Sequence, residues 1–215
     1  MIERSINILA RGIMPPEEQV KRQHILDAAQ QVFAAKGFDG ASIKDLAKAA
    51  QVSPGLLYWY FKDKTDLLVS LLTERIETAF GQLPASVSFD APPAEFMPHF
   101  ARFYIGIFEQ PMNTALFKVV ITNTPSFPAA IRRVQSSVVN RVLSALQGYF
   151  QRQIELGRMR PCDTEMVTRT FMGSVVAFLL LRHVLQEERG RELSVETFVN
   201  GVTDVVLHGI LPADK

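Results

Sequence analysis

Cysteine is nearly absent from this sequence of 215 residues, in which Cys162 is the only one. A single cysteine cannot form an internal disulfide, which excludes the small disulfide-bonded folds of secreted proteins. Residues 1–14 have an early acidic residue and no usable apolar run, so we expect no signal peptide there. We therefore expect a protein of the reducing cytoplasm.

Long apolar runs are also missing. The most apolar stretch, residues 171–185, is interrupted by Arg182 and His183. It is shorter than the roughly 20 apolar residues that a membrane-spanning helix needs. We therefore expect no membrane partner.

The sequence has no excess of one charge, since 23 lysines and arginines face 22 aspartates and glutamates. The first 81 residues are equally balanced, so global charge favours no particular partner. Affinity for a polyanion such as DNA would then depend on where single cations lie.

Enzyme motifs are missing too, because the sequence contains no GxSxG, GxGxxG, phosphate-binding loop or HExxH. The four histidines, His24, His99, His183 and His208, have no metal-ligand spacing to one another or to Cys162. We therefore predict no enzyme activity, no cofactor and no metal site.

What the sequence does contain is a pair of short helices over residues 42–64, SIKDLAKAAQVSPGLLYWYFKDK. Ser42 is followed three residues later by Asp45, the signature of a capped helix start. Ser53 caps the second helix, and Pro54 stands at its first position. Two short helices joined by a tight turn are typical of a helix-turn-helix, whose second helix enters the major groove.

The second helix has large aromatic rings on more than one side. Leu57 and Phe61, four residues apart, share its inward side, while the Tyr-Trp-Tyr run at 58–60 occupies the rest. Rings beside lysines suit a partner that offers phosphates and base edges. The alternative is a plain helical hairpin whose aromatic residues pack in a core.

Four segments of this unit resemble the DNA-binding domain of the tetracycline-repressor (TetR) family: Ser42…Lys44, Val52-Ser53-Pro54-Gly55, Leu57-Tyr58-Trp59-Tyr60-Phe61 and Lys64-x-x-Leu67-Leu68. The resemblance is dense from about Arg22 to Leu72, and beyond it only the helix pattern fits. Gln51 departs from the family, whose members commonly carry glycine there. A left-handed backbone would cost a non-glycine residue about 1 kcal/mol, so we expect a slightly different turn.

The resemblance implies DNA binding by these residues: Ser42, Lys44, Ser53, Pro54, Gly55, Leu56, Tyr58, Trp59, Tyr60 and Lys64. We expect the two tyrosines and Lys64 to contact phosphates, with the two serines offering hydroxyls or helix N-termini. Gly55 lets the backbone approach DNA closely. Leu56 and Trp59 would contact thymine methyls, and Lys44 would reach a guanine edge.

The rest of the sequence predicts helices only. We expect an all-α fold, with a three-helix helix-turn-helix domain at 18–81 and a helical ligand-binding and dimerisation domain at 82–215. A stretch rich in Pro, Ser and Ala at 83–93 marks the boundary. Sustained two-residue alternation is missing, so no sheet is expected. The predicted C-terminal helices are 93–109, 111–123, 129–156, 163–188 and a last one from Ser194 to about Gly209.

The last two long helices are apolar on all sides, so each must be buried on all sides. One side can face the core and another a second subunit. In the resembled family, dimers pack through these two helices. We expect a homodimer with Val176, Leu179, Val202 and Val206 at its interface, the alternative being a fully internal helix in a monomer.

Phenylalanines and methionines are abundant in the C-terminal helices, which favours a pocket for a small hydrophobic or aromatic effector. The alternative is that the same residues form plain core. The expected pocket residues are aromatic side chains with a few polar anchors: Phe96, His99, Phe100, Phe103, Phe117, Asn123, Gln147 and Phe171.

These observations predict a ligand-responsive transcriptional regulator. We expect a repressor that binds a palindromic operator in double-stranded DNA as a homodimer and is released by its effector. The alternative is an α-helical protein- or ligand-binding module of the same fold that does not bind an operator.

Overall fold

The computed structural model describes residues 15–82, 84, 86–122, 128, 132–133 and 135–210. The described residues contain helices and no strand, as predicted. Among the described residues, the α-helices whose bounds are defined are α1 (Pro16–Gly40), α2 (Ile43–Ala49), α3 (Pro54–Tyr60), α4 (Lys64–Gly81), α5 (Pro93–Glu109), α6 (Pro111–Thr122), α7 (Asn140–Glu155), α8 (Thr164–Leu179), α9 (Glu188–Glu192) and α10 (Val195–Ile210).

The chain divides into two compact units, one ending at Leu71 and the other beginning at Leu72. This division falls inside α4, before the boundary that the sequence suggested after residue 81. A compact unit need not have the same bounds as a functional domain. The bounds 18–81 and 82–215 therefore stay a prediction.

The N-terminal unit packs α1, α2, α3 and the start of α4 around fully buried side chains: Ile25, Leu26, Phe33, Leu46, Leu57, Phe61, Leu67 and Leu71. Gly37 has φ of +70° and interrupts the helical backbone of α1. Glycine adopts that conformation without steric cost. The Asp63 carboxylate accepts the backbone N–H of Asp66 at 2.7 Å and so caps α4.

The C-terminal unit has an aromatic core, with Phe96 and Phe100 of α5, Phe150 of α7 and Phe171 of α8 all wholly buried. Rings along α5 stack on one another, since the centroids of Phe96 and Phe100 lie 5.4 Å apart. Periodic apolar residues on α5, α7, α8 and α10 supply this core. The prediction of an all-helical C-terminal domain is confirmed.

The ends of α7 and α8 follow their local sequence. Gly157, with φ of +68°, follows the last residues of α7. The Asp163 carboxylate caps α8 by accepting the N–H groups of Glu165 and Met166 at 2.9 and 3.1 Å. The N-terminal part of the predicted 129–156 helix is described only in pieces, including a π-helical turn at Gln135–Val139.

The prediction that the next helix continues to residue 188 is wrong. α8 ends at Leu179 and passes into a π-helical turn, Leu180–Val184. Gln186 then adopts a left-handed backbone with φ of +52°, and the short α9 follows. The Arg182 guanidinium donates to the carbonyl oxygens of Gly190, Arg191 and Leu193 at 3.0–3.4 Å, which holds this turn.

One described helical segment, Thr164–Val184, has the length and composition of a membrane span. It is longer than the apolar stretch 171–185 that the sequence suggested. The core helix of a globular domain has the same properties. Phe171, Val175 and Leu179 of this segment belong to the core of the C-terminal unit. Packing within the chain thus accounts for part of its hydrophobicity, since 39% of the apolar window is buried.

Candidate DNA interface and effector cavity

The start of α2 is fixed by a reciprocal cap. The Ser42 hydroxyl oxygen accepts the N–H of Asp45 at 3.1 Å, and the Asp45 carboxylate accepts the N–H of Ser42 at 3.0 Å. The Lys36 ammonium lies 2.7 Å from the same carboxylate. Hydrogen bonds from Lys36 and then from Ser42 hold the pKa of Asp45 well below its usual range. The carboxylate therefore stays charged, and α2 is anchored to α1.

The turn between α2 and α3 is tight and left-handed. Gln51 has φ of +53°, so the turn keeps the left-handed conformation although the residue is not glycine. The Val52 N–H donates to the carbonyl oxygen of Ala47 at 3.0 Å. The His24 ring lies with Nε2 3.0 Å from the carbonyl oxygen of Ala50. The turn thus accepts a strain of about 1 kcal/mol and is held from α1.

The start of α3 is also capped, because the Ser53 hydroxyl accepts the N–H of Leu56 at 3.1 Å. Leu57 is buried, whereas Tyr58 and Trp59 are 53% and 50% exposed. The Trp59 ring packs edge-on against Tyr60, with centroids 4.6 Å apart. α3 therefore presents two aromatic side chains to the outside, which is costly in water and suits a partner surface.

Lys64 points back into its own unit. Its ammonium donates to the carbonyl oxygens of Phe38 and Ala41 at 2.6 and 2.9 Å, and it lies 4.4 Å from the centre of the Phe38 ring. Burial lowers the pKa of Lys64, and the neighbouring Asp39 opposes this shift. The phosphate contact expected of Lys64 stays a prediction, since two carbonyl oxygens occupy its ammonium.

Exposed cations flank α3. Lys44 and Lys48 lie one turn apart on α2, and Lys62 follows α3; all three are exposed. Lys44 was predicted as a base contact, whereas no DNA contact was predicted for Lys48 and Lys62. Their spacing was a usable signal, because residues four apart share one helix face.

The C-terminal unit contains a cavity of about 430 Å³ among α4, α5, α6, α7 and α8. Its wall is almost wholly apolar: Leu72, Ile76, Ile107, Phe108, Leu116, Phe117, Val120, Ile121, Val139, Val142, Leu143, Met172 and Val176. The volume lies in the range of small-molecule sites. Such a chamber can hold an apolar ligand of drug size.

Few polar groups reach this cavity, namely Arg75, Tyr104, Asn113 and Arg169. The Asn113 amide donates to the carbonyl oxygen of Ile107 at 2.8 Å, and Arg169 is paired with Glu165 at 2.7 Å. Burial raises the pKa of Tyr104 to about 12, so its phenol stays protonated. The polar groups can orient a ligand, and the charge of Arg169 is balanced by Glu165.

A second pocket of about 240 Å³ adjoins the cavity between α7 and α8. It is lined mainly by polar side chains: Asn140, Leu143, Ser144, Gln147, Glu165, Thr168 and Arg169. Leu143 and Arg169 line both spaces. The two pockets are therefore neighbours with opposite character.

The predicted effector residues do not lie together. Phe117 lines the cavity and Gln147 lines the polar pocket. The other aromatic residues, Phe96, Phe100 and Phe171, are wholly buried in the core, and Phe103 packs on it against Phe80. A stripe of aromatic residues does not distinguish a core from the wall of a cavity, so the sequence alone did not separate Phe117 from the core residues.

His99 and Asn123 are the two remaining residues that were expected to anchor the effector. His99 is bonded through Nδ1 to the carbonyl oxygen of Glu95 at 2.6 Å and does not line the cavity. Asn123 lies outside the described residues. The residues of α4 and α6 that do form the wall were missed, apart from Phe117.

Two of the four residues expected at a dimer interface are buried within one chain, and the other two are half-buried, so their role at an interface stays a prediction. Leu179 is wholly buried and Val206 is 7% exposed, while Val176 lines the cavity and Val202 is half-buried. One exposed stripe on each of α8 and α10 carries small or apolar residues: Met166, Thr170, Gly173 and Ala177 on α8, and Thr197, Gly201 and Val205 on α10. Gly173 also lines the cavity. The periodicity of a helix that is apolar all round could not tell these faces apart.

Among the described residues, no group of three or more His, Cys, Asp or Glu side chains could hold a metal ion. Cys162 is half-buried and free.

Two protein-family descriptions match the chain. Residues 25–71 match bacterial regulatory proteins of the tetR family. Residues 95–208 match the C-terminal domain of AefR-like transcriptional repressors. The second match spans more than half of the chain.

Individual proteins are similar over part or most of the chain. The transcriptional regulator AcrR of Shigella flexneri is 46% identical over 67 residues, which are 31% of this chain and 31% of that protein. The regulator UidR of Escherichia coli K12 is 23% identical over 205 residues, covering 93% of this chain and 97% of that protein. The crystal structure of Bacillus subtilis FadR with stearoyl-CoA shares the fold, with a TM-score of 0.70, 18% identity, and coverage of 87% and 98%.

Proposed function

Because the chain belongs to the tetR family of bacterial regulatory proteins, we propose that it is a repressor that leaves its operator DNA when a small apolar effector binds. The observation that carries this proposal is the outward face of α3, where Tyr58 and Trp59 are half exposed beside a capped helix start. A cavity of suitable size and polarity supports the effector.

In the proposed complex, α3 lies in the major groove. Tyr58 and Tyr60 bind phosphates, and Leu56 and Trp59 meet thymine methyls. Ser42 and Ser53 use their hydroxyls to cap helices, so they offer helix N-termini to phosphates. Pro54 and Gly55 are exposed at the tip of α3, where a side chain on Gly55 would stand between backbone and DNA.

Cations take two different roles in this proposal. Lys44 reads a guanine edge, and Lys48 and Lys62 neutralise phosphates. Lys64 positions α4 by holding the carbonyl oxygens of Phe38 and Ala41. Because the net charge is only +1, the exposed lysines carry most of the electrostatic attraction.

The effector proposed is a small, largely hydrophobic molecule in the cavity. Leu72, Arg75 and Ile76 of α4 form part of its wall, so a bound ligand touches the helix that begins at Lys64. A ligand changes DNA affinity only through different affinities for two conformations of the protein. The stearoyl-CoA bound by Bacillus subtilis FadR is a precedent for an apolar chain in this fold.

The repressor proposed here is a cytoplasmic homodimer that binds a palindromic operator. The exposed small and apolar residues of α8 and α10 would pack against the same faces of a second copy as a four-helix bundle. Gly173 and Gly201 have open space around them, which permits a close approach of two helices. Twofold symmetry in the protein then requires it in the DNA.

Binding of the full chain to its own upstream DNA tests the proposal. Genome-wide footprinting of bound sites identifies the operator, and fluorescence anisotropy measures affinity for it and for scrambled DNA. We expect specific binding that Trp59→Ala weakens at least tenfold and that Met112→Ala, a matched exposed apolar residue in the other unit, leaves unchanged. No preference for any genomic site would leave the alternative, a helical ligand-binding module without an operator.

A further inference from the structure

The apolar cavity and the polar pocket beside it have two wall residues in common, Leu143 and Arg169. The two spaces are therefore adjacent across these two side chains. The cavity holds about 430 Å³ and the polar pocket about 240 Å³. The two spaces together suit a molecule with one long apolar part and one compact polar end.

Thr168 marks the polar pocket as a place for a ligand. Its side chain lines the pocket and is only 2% exposed, yet its hydroxyl oxygen has no hydrogen-bond partner among the described residues. Buried hydroxyl groups nearly always have a partner. The other buried threonine among the described residues obeys the rule, since Thr203 donates to the carbonyl oxygen of Val199 at 2.5 Å.

The charge in the polar pocket is already balanced. The Arg169 guanidinium donates through Nε to the Glu165 carboxylate at 2.8 Å, and its Nη2 lies 2.7 Å from the same oxygen. An ionised ligand would compete with one of these two charges and would have to be desolvated as well. The remaining polar residues, Asn140, Ser144 and Gln147, both donate and accept hydrogen bonds.

We propose that the effector is an uncharged amphiphile, with an apolar chain in the cavity and an amide- or hydroxyl-type head group in the polar pocket, hydrogen-bonded to Thr168. This proposal rests on the proposed function, because it specifies the ligand of the same cavity. Gln147 and Ser144 would complete the hydrogen bonds of the head group. Tyr104 and Asn113 lie on the wall of the apolar cavity and bind the chain, not the head.

The test compares three probes with the same chain and different heads: decanamide, decanol and decanoate. Calorimetric titration of the full chain, without DNA, gives their affinities. We expect decanamide to bind best and decanoate worst. Thr168→Val removes the hydroxyl at nearly constant volume, and we expect it to weaken decanamide about two- to tenfold while leaving decanoate unchanged.

Two further variants complete the test. Thr170→Val removes an exposed hydroxyl on the same helix and should change no affinity. Gln147→Leu should weaken decanamide in the same way as Thr168→Val, which covers the possibility that one variant folds poorly. Thr168→Val should melt no lower than the wild-type chain, because the hydroxyl it removes is unsatisfied.

Each outcome decides something. Equal affinities for the three probes, or tighter binding of decanoate, would overturn the uncharged amphiphile while the apolar effector cavity stands. Loss of decanamide preference in Thr168→Val and Gln147→Leu supports the proposal. Failure of every probe to bind would remove the ligand-responsive part of the proposed function together with this inference, whereas DNA binding would be unaffected.

Discussion

The ammonium of Lys64, the first residue of α4, donates to the carbonyl oxygen of Phe38 at 2.6 Å and lies 4.4 Å from the centre of the Phe38 ring. A second bond to the Ala41 carbonyl, at 2.9 Å, closes the arrangement. These acceptors follow the interruption of α1 at Gly37, where helical hydrogen bonding is lost. Lys64 thus satisfies backbone groups that the end of α1 leaves open, and it joins that end to α4.

Lys64→Met should therefore act on stability more than on DNA charge. We expect a loss of about 1–3 kcal/mol, because hydrogen bonds to a charged group disappear and two carbonyl oxygens lose their donor. Trp59, the single tryptophan of the chain, lies in the same unit, so its fluorescence in a denaturant titration reports the change. Lys62→Met is the matched control, since its side chain is exposed and should cost almost nothing.

The same variants separate positioning from phosphate binding. If Lys64 contacts a phosphate, Lys64→Met should lower the salt dependence of DNA binding by roughly one unit. We expect that change from Lys62→Met instead. A drop in the salt dependence with unchanged stability in Lys64→Met would restore the role that the sequence suggested for it.

Lys44 and Lys48 share one exposed face of α2 but should differ in what they read. Lys44→Ala should narrow the gap between the best operator and its variants by about 1–3 kcal/mol at one base pair. Lys48→Ala should weaken all DNA sequences alike. Anisotropy titrations on an operator and its single-base variants measure both effects, and unchanged base preferences in Lys44→Ala would exclude it as a base contact.

Features that depend on residues close together in the sequence could be predicted, whereas features that depend on distant residues could not. The cap between Ser42 and Asp45 and the cap at Ser53 depend on residues three apart, so both were predictable. The end of α8 at Leu179 depends on Arg182, whose carbonyl partners come from residues 190–193 after a left-handed turn. The hydrophobic periodicity of the sequence does not predict a contact between residues so far apart.

The candidate sites show the same limit. The exposure of aromatic residues on α3 could be predicted, because a helix of seven residues can bury only a few of its side chains. The cavity wall comes from five helices, and whether Phe117 or Phe100 faces it depends on their packing angles. Likewise, the all-apolar pattern of α8 did not reveal that Leu179 faces the core and Ala177 the outside.

That difference between Leu179 and Ala177 gives a test of the dimer. Ala177→Glu and Val205→Glu place a charge on the exposed faces of α8 and α10, and we expect folded monomers that lose operator binding. Leu179→Glu should instead unfold the C-terminal unit, because it buries an unpaired charge. Light scattering and circular dichroism separate the two results.

Leu156→Glu is the control for the dimer variants, since Leu156 is 43% exposed directly after α7 and belongs to neither α8 nor α10. It should remain dimeric and bind the operator normally. A wild-type chain that is monomeric at micromolar concentration would contradict the proposed homodimer. Dimers that persist in both Ala177→Glu and Val205→Glu would place the interface elsewhere.

The left-handed turn predicts a stabilising substitution. Gln51→Gly should raise the free energy of unfolding of the N-terminal unit by about 1 kcal/mol, because glycine adopts φ of +53° without the Cβ clash. Ala49→Gly, two residues earlier at the end of α2, should lower it by a similar amount because glycine disfavours a helix. Opposite shifts of the Trp59 unfolding midpoint would verify both, and equal shifts would contradict the strain.

The C-terminal unit should lose stability on mild acidification through His183. Burial lowers the pKa of His183, and Arg182 and Lys118 act in the same direction while Glu109 opposes them. The unfolded chain takes up a proton at this residue near pH 6.5, and the folded chain does so only at lower pH. Between these two values the unfolded state binds more protons, so the free energy of unfolding falls as the pH falls. Calorimetric melting of the wild-type chain and of His183→Gln between about pH 8 and about pH 5 measures this. We expect a shallower decline in the variant, and equal slopes would show that another group controls the acid sensitivity.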